Sequence, residues 1–169
     1  LAALVFSCLA GAVIIWQPYN HSLLLLIPLT LFLRMALNAI DGMLAREHNM
    51  KSRLGAVLNE MSDVISDTAL YLPLALVPAF NHWLIVGLVI LAVMVEMMGV
   101  VAIQIGASRN YAGPMGKSDR AFAFGLLALL LGLGTPEGAW VTGVLTVMLL
   151  LSAFTIYNRA KLALREAGH

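Results

Sequence analysis

Charge is scarce in this chain. Asp, Glu, Lys and Arg make up 11% of its 169 residues, less than half of the quarter or so that a soluble domain carries to keep its surface hydrated. Cysteine is almost absent: Cys8 stands alone in an apolar run, which excludes an internal disulfide. Four histidines are scattered and make no zinc spacing. No low-complexity tract or obvious repeat divides the sequence, so residues 1–169 read as a single domain. A basic n-region and a small-residue cleavage site are also missing, so the opening hydrophobic segment does not read as a signal peptide. The chain starts at Leu1, already inside that segment, and its first span is expected to be truncated. The formal net charge of +1 gives no basis for binding nucleic acid.

What is abundant is apolar surface. Hydrophobic residues make up 61% of the chain, and its mean hydropathy is +0.91. A bilayer crossing needs about 20 mostly apolar residues. Six stretches approach that: 1–17, 22–46, 54–79, 83–106, 119–134 and 139–163. The expected fold class is therefore all-α, a polytopic membrane bundle of six transmembrane helices. The basic residues orient it. Arg46, Lys51 and Arg53 lie between spans two and three, Arg109, Lys117 and Arg120 between four and five, and Arg159, Lys161 and Arg165 towards the end. The three opposite connections contain none, and Arg34 lies within span two. The positive-inside rule then puts both termini and the basic loops in the cytoplasm.

The informative stretch runs from Asn38 to Asp67. Asn38, Asp41 and Ala45 share one helical face by their spacing of three and four. Gly55, Asn59, Asp63 and Asp67 share another at spacings of four. Asp41 comes about 28 Å into span two at 1.5 Å per residue, near its cytoplasmic end. A short connection makes the two spans antiparallel neighbours, so both faces can meet at one depth. Carboxylates and amide oxygens gathered there suit a hard divalent cation such as Mg²⁺, and the basic residues beside it suit a pyrophosphate. Gly42, Ala45 and Gly55 leave room for a ligand to approach the backbone. Two other readings stay open from these residues: polar groups bonding across helices, and an ion or proton path.

The pattern Asn38-x2-Asp41-Gly42-x2-Ala45-Arg46-x8-Gly55-x3-Asn59-x3-Asp63 resembles the D-x2-D-G-x2-A-R-x8-G-x3-D-x3-D motif of the CDP-alcohol phosphatidyltransferases. Every spacing agrees, and the substitutions are two amides for two acids. The resemblance implies an integral-membrane enzyme that moves a phosphatidyl or related group from a CDP-linked donor to a hydroxyl acceptor and releases CMP. It implies divalent metal, Mg²⁺ or Mn²⁺, at the positions of Asn38, Asp41, Asn59 and Asp63. Asp63 would also be the general base. Gly42, Ala45, Arg46 and Gly55 would line the nucleotide and pyrophosphate site. A homodimer in a bacterial inner membrane is implied as well. Asn38 and Asn59 bring oxygen without charge, which should weaken a second metal most. Their presence keeps a catalytically dead, nucleotide-binding homologue open beside the enzyme.

The second basic loop contains Gly116-Lys117-Ser118-Asp119-Arg120, similar to the G-x-x-x-R element that grips the acceptor phosphate in the inositol-phosphate branch of that family. This implies acceptor contacts from Arg109, Lys117 and Arg120, and an anionic acceptor such as a phosphorylated polyol. Asp67, one turn beyond Asp63, is grouped with them and restores one missing charge. Topology alone would also place basic residues in this loop. Arg159 and Lys161 are expected to anchor anionic headgroups, with service in the same acceptor pocket as the alternative. Arg34 and Glu96 lie within spans, and each is expected to have a partner or a shared polar cavity.

Overall fold

The computed structural model describes residues 2–47 and 53–168. Lys51, one of the basic loop residues, lies outside them, as do the side chains of Ala45, Arg46 and Arg53. Among the described residues there are six α-helices and no strand: α1 Ala2–Trp16, α2 Leu26–Glu47, α3 Arg53–Tyr71, α4 His82–Gln104, α5 Lys117–Gly132 and α6 Ala139–Ala167. Short 3-10 segments, His21–Leu25 and Leu72–Leu76, precede α2 and follow α3. The all-α expectation holds. Three stretches are long and apolar enough to cross a membrane on those criteria alone: His21–Asp41, His82–Gln104 and Ala139–Ala167. α1 and α5 are short, and α3 carries Glu60, Asp63 and Asp67.

Local chemistry sets the helix boundaries. The Asn20 side chain accepts from the Ser22 N–H, and the Asn81 side chain from the Leu84 N–H, so each caps a helical start. α4 ends in a Schellman motif, with Gly106 at φ +88° and the Ala107 N–H bonded to the Ala102 carbonyl. α5 ends the same way, with Gly134 at φ +94° and the Thr135 N–H bonded to the Leu130 carbonyl. The third expected span, 54–79, is divided. Pro73 has no N–H to give the Ala69 carbonyl, so α-helical bonding stops at Tyr71 and the chain tightens into a 3-10 segment.

The contacts separate the chain into two units. The first runs up to Pro78 and includes Phe124–Pro136; the second comprises Ala79–Ala123 and the chain from Glu137. In the first, α1 presents a face of Ser7, Ala10, Gly11 and Ile14, all buried. This small-residue face packs against both α2 and α3. Gly11 lies directly on the Ala69 carbonyl, to which Pro73 can donate no hydrogen bond, and a Cβ there would collide with it. Gly11→Ala is therefore expected to destabilise the protein by about 1–3 kcal/mol through overpacking, read as a lower unfolding midpoint in detergent. Tyr71 stacks on Phe124 with ring centroids 4.3 Å apart.

In the second unit α4 and α6 pack along their lengths. Their buried residues follow a three–four repeat: Ile85, Leu88, Ala92, Val95, Gly99 and Ala102 on α4, and Val141, Leu145, Met148, Ser152, Thr155 and Arg159 on α6. That period makes a coiled-coil seam. The α6 half of the seam turns from apolar to polar after Met148, which brings Arg159 inside. Tryptophans stand at helix ends: Trp16 closes α1, while Trp83 and Trp140 open α4 and α6. All three adjoin the connections that lack basic residues, as an interfacial aromatic belt would.

Candidate functional site

The motif occupies α2 and α3 in the first unit. Arg34 Nη2 meets Asp67 Oδ1 at 2.6 Å, and both side chains are buried. This ion pair spans the two helices and sets their register. Each helix is continuous from the pair towards the 48–52 connection, so one turn on α2 is matched by one turn, about 6 Å, on α3. Counted in helical turns from the pair, Asn38 stands as far along α2 as Asp63 along α3, Asp41 and Gly42 as Asn59, and helix positions 45 and 46 as Gly55. All eight motif positions fall on three successive levels above one buried ion pair. Burial falls along the same direction. Asp67 is buried, Asp63 half-buried, and Asn38, Asp41, Asn59 and Gly55 are exposed. The mid-span partner expected for Arg34 is Asp67. An acid grouped with the acceptor contacts is thus engaged by a cation at the floor of the site.

The donor set at these levels is two carboxylates and two amide oxygens. No group of three His, Cys, Asp or Glu side chains suited to a metal occurs among the described residues, because Asn38 and Asn59 stand where a fuller acidic cluster would have carboxylates. Oxygen-only donors of modest charge still fit one hard cation whose shell is completed by water or phosphate. Asp41 and Asp63 would supply the charge there.

The second unit holds Arg109, Lys117 and Arg120. Arg120 is wholly buried. Its Nη1 donates to the Met115 carbonyl at 3.2 Å, and its Nη2 pairs with Glu96 Oε1 at 3.0 Å. Arg109 reaches the other oxygen of Glu96 at 3.5 Å and lies over the Tyr111 ring. Arg159 donates to the Val95 carbonyl at 2.9 Å and to the Ala112 carbonyl at 3.3 Å. The 4–5 loop is fastened around this cluster. The Met115 N–H bonds Thr155 Oγ1, and Gly113, at φ +135°, leaves no room for a Cβ beside Thr155. Ser108 gives its N–H and its hydroxyl to the Glu166 carboxylate, both at 2.9 Å. Asp119 accepts from the Gly116 N–H at the start of α5, so its charge is partly spent on the backbone. Arg109 and Arg120 thus share the Glu96 carboxylate, while Asp119 and Glu166 are engaged by the loop itself.

One expectation fails and another is met more fully than foreseen. Arg159 is 3% exposed and bonded to backbone carbonyls, so it does not anchor headgroups; its place in the three–four repeat with Ser152 and Thr155 was the available signal. Glu96 binds two arginines at once, where the sequence allowed only an unspecified partner. Among the acceptor candidates, Asp67 lies in the first unit, and Arg109, Lys117 and Arg120 lie in the second.

A helical bundle with membrane-length apolar helices, carrying the polar motif positions on two helices joined by a buried ion pair and, in its second unit, arginines gathered around one glutamate, is the class this geometry defines. The chain belongs to the CDP-alcohol phosphatidyltransferase family, whose profile matches residues 2–158. It is similar to the inner membrane protein YnbA of Escherichia coli strain K12, with 45% identity over 163 residues, covering 95% of this chain and 80% of that protein.

Proposed function

We propose that the chain is a six-pass enzyme of the bacterial inner membrane. It transfers a phosphatidyl or related phospho-alcohol group from a CDP-linked donor, such as CDP-diacylglycerol, to a hydroxyl acceptor in phospholipid synthesis. The observation that carries this reading is the common register of the motif levels above the Arg34–Asp67 pair. The basic loops on one side and the tryptophans on the other support a cytoplasmic site and cytoplasmic termini. The likeness to an inner membrane protein supports the location.

The chemistry follows from position. The acceptor oxygen attacks the phosphorus nearer the lipid, its bond to the CMP oxygen breaks, and CMP leaves with that electron pair. Asp63 takes the acceptor proton once the hydroxyl is within hydrogen-bond reach. Mg²⁺ or Mn²⁺, bound by Asp41 and Asp63 with the Asn38 and Asn59 amide oxygens, would offset the pyrophosphate charge. Small positions at Gly42, Ala45 and Gly55 admit the nucleotide, with Arg46 beside it. Arg109, Lys117 and Arg120 are the acceptor contacts in this reading, and their positive charge favours a phosphorylated polyol. The enzyme works as a homodimer in this reading.

The test is CMP release by purified protein from CDP-diacylglycerol against a panel of polyols and phosphorylated polyols. Release is expected to require Mg²⁺ or Mn²⁺ and to favour a phosphorylated acceptor. Asn38 and Asn59 favour one second reading, a homologue that binds CDP compounds without turnover; nucleotide binding with no CMP release would select it.

The amides also give a sharper expectation. A carboxylate about 4 Å from a cation gains from about 1 kcal/mol per unit charge in water to about 4 kcal/mol near a protein surface. Asn59→Asp, alone or with Asn38→Asp, should therefore tighten Mn²⁺ binding about tenfold or more. Unchanged affinity in both variants, by spin resonance titration, would show that these positions are not ligands.

A further inference from the structure

One buried guanidinium arm in the first unit is left unsatisfied by the protein itself. Arg34 is 4% exposed, and its Nη2 is held by Asp67. Its Nη1 is buried with no hydrogen-bond partner. A dry guanidinium N–H is costly, and at membrane depth no bulk water replaces the missing bond. An orphan of this kind in a folded chain calls for an explanation, and a ligand is one.

Its position indicates which ligand. Arg34 lies one helical turn from Asn38, on the same face of α2 and one level deeper than the Asn38–Asp63 level. An acid at position 38 would be an i, i+4 partner for Arg34 and would quench its charge. The amide at Asn38 does not. A guanidinium is a planar fork, so one arm can hold a carboxylate while the other meets a second anion.

We propose that Arg34 is a substrate ligand: its Nη1 donates to a non-bridging oxygen of the lipid-linked phosphate of the CDP-linked donor, on the membrane side of the metal-binding positions. Depth favours the donor over a water-soluble acceptor, because that phosphate joins the nucleotide to the part of the molecule that lies in the bilayer. In this chain a guanidinium whose charge is balanced by Asp67 still offers one hydrogen-bonding arm beside positions where two motif acids are replaced by amides. The inference rests on the phosphotransferase reading.

The test compares CDP-diacylglycerol, which carries that phosphate, with CMP, which lacks it. Binding of each is measured to detergent-purified wild type and to the double variant Arg34→Gln with Asp67→Asn. The double variant removes both charges together and keeps an amide pair that can still hydrogen-bond between α2 and α3. An unfolding midpoint close to wild type checks that the fold is kept. The double variant is expected to bind CDP-diacylglycerol about tenfold or more weakly, the worth of one charge-assisted hydrogen bond, with CMP affinity unchanged. Arg34→Lys, which keeps the charge but loses the fork, should fall between. Equal affinity of wild type and double variant for CDP-diacylglycerol would overturn the inference. So would parallel loss of both ligands, which marks a purely structural pair. Failure of wild type to bind any CDP compound would overturn the phosphotransferase reading, and this inference with it.

Discussion

Asp63→Asn is expected to lower metal-dependent CMP release by about 10²–10⁴-fold, the range over which a positioned general base acts. Asp63 is half-buried where Asp41 is exposed. It lies on the level nearest the buried pair, where the acceptor hydroxyl would be shielded from water. The substitution keeps the size of the side chain and an oxygen that can still face a cation, so CDP binding should survive better than turnover. Measured together, the two readouts separate a lost base from a lost ligand. A variant that releases CMP at the wild-type rate would move the base elsewhere in the site.

Removing Glu96 should have the largest effect on stability. Glu96 binds both Arg109 and Arg120, and Arg120 has no exposed surface. Arg159 lies in the same unit, also buried. Truncating the carboxylate leaves buried guanidiniums without their shared counter-charge, and breaking a buried pair costs about 3–5 kcal/mol. Glu96→Ala is therefore expected to lower the unfolding midpoint in detergent sharply. Glu96→Gln, which retains hydrogen-bonding oxygen and nitrogen atoms, should lie between it and wild type. An unchanged midpoint in Glu96→Ala would show that the arginines draw their compensation from another source.

Much of this architecture was legible before any coordinates. The helices of the structure lie within the six apolar stretches, give or take a few residues, because each stretch is bounded by residues with one local role. Asn20 and Asn81 cap; Gly134 turns the chain out of α5. The break after Tyr71 was harder to read. Pro73 is visible in the sequence, but only its packing shows that Gly11 of another helix closes over the carbonyl to which it can donate no hydrogen bond. The motif spacing was legible because helical periodicity survives in sequence. The pairing of charges was not. Arg34 could have met Asp67, Glu96 or nothing, and periodicity places a residue on a face without naming its neighbour. Arg159 was misread for a related reason. It belongs to the basic count near the chain end, and equally to the three–four repeat of α6; the repeat is what positions it.

The Arg34–Asp67 pair has a mechanical meaning as well. Sliding one helix past the other by a single residue would move it 1.5 Å and turn it by about 100°, enough to part the two charges in a medium that tolerates neither alone. Shear between α2 and α3 is therefore closed to this chain, while tilting about the ion pair is not. In a thicker or thinner bilayer, the mismatch would be taken up by the opening angle of the two helices. The deepest level would stay fixed like a hinge pin, and among the levels that carry oxygen side chains the width at the Asn59 level would change most. Bilayer thickness would then tune how far apart the oxygens of the motif positions stand, without altering their order.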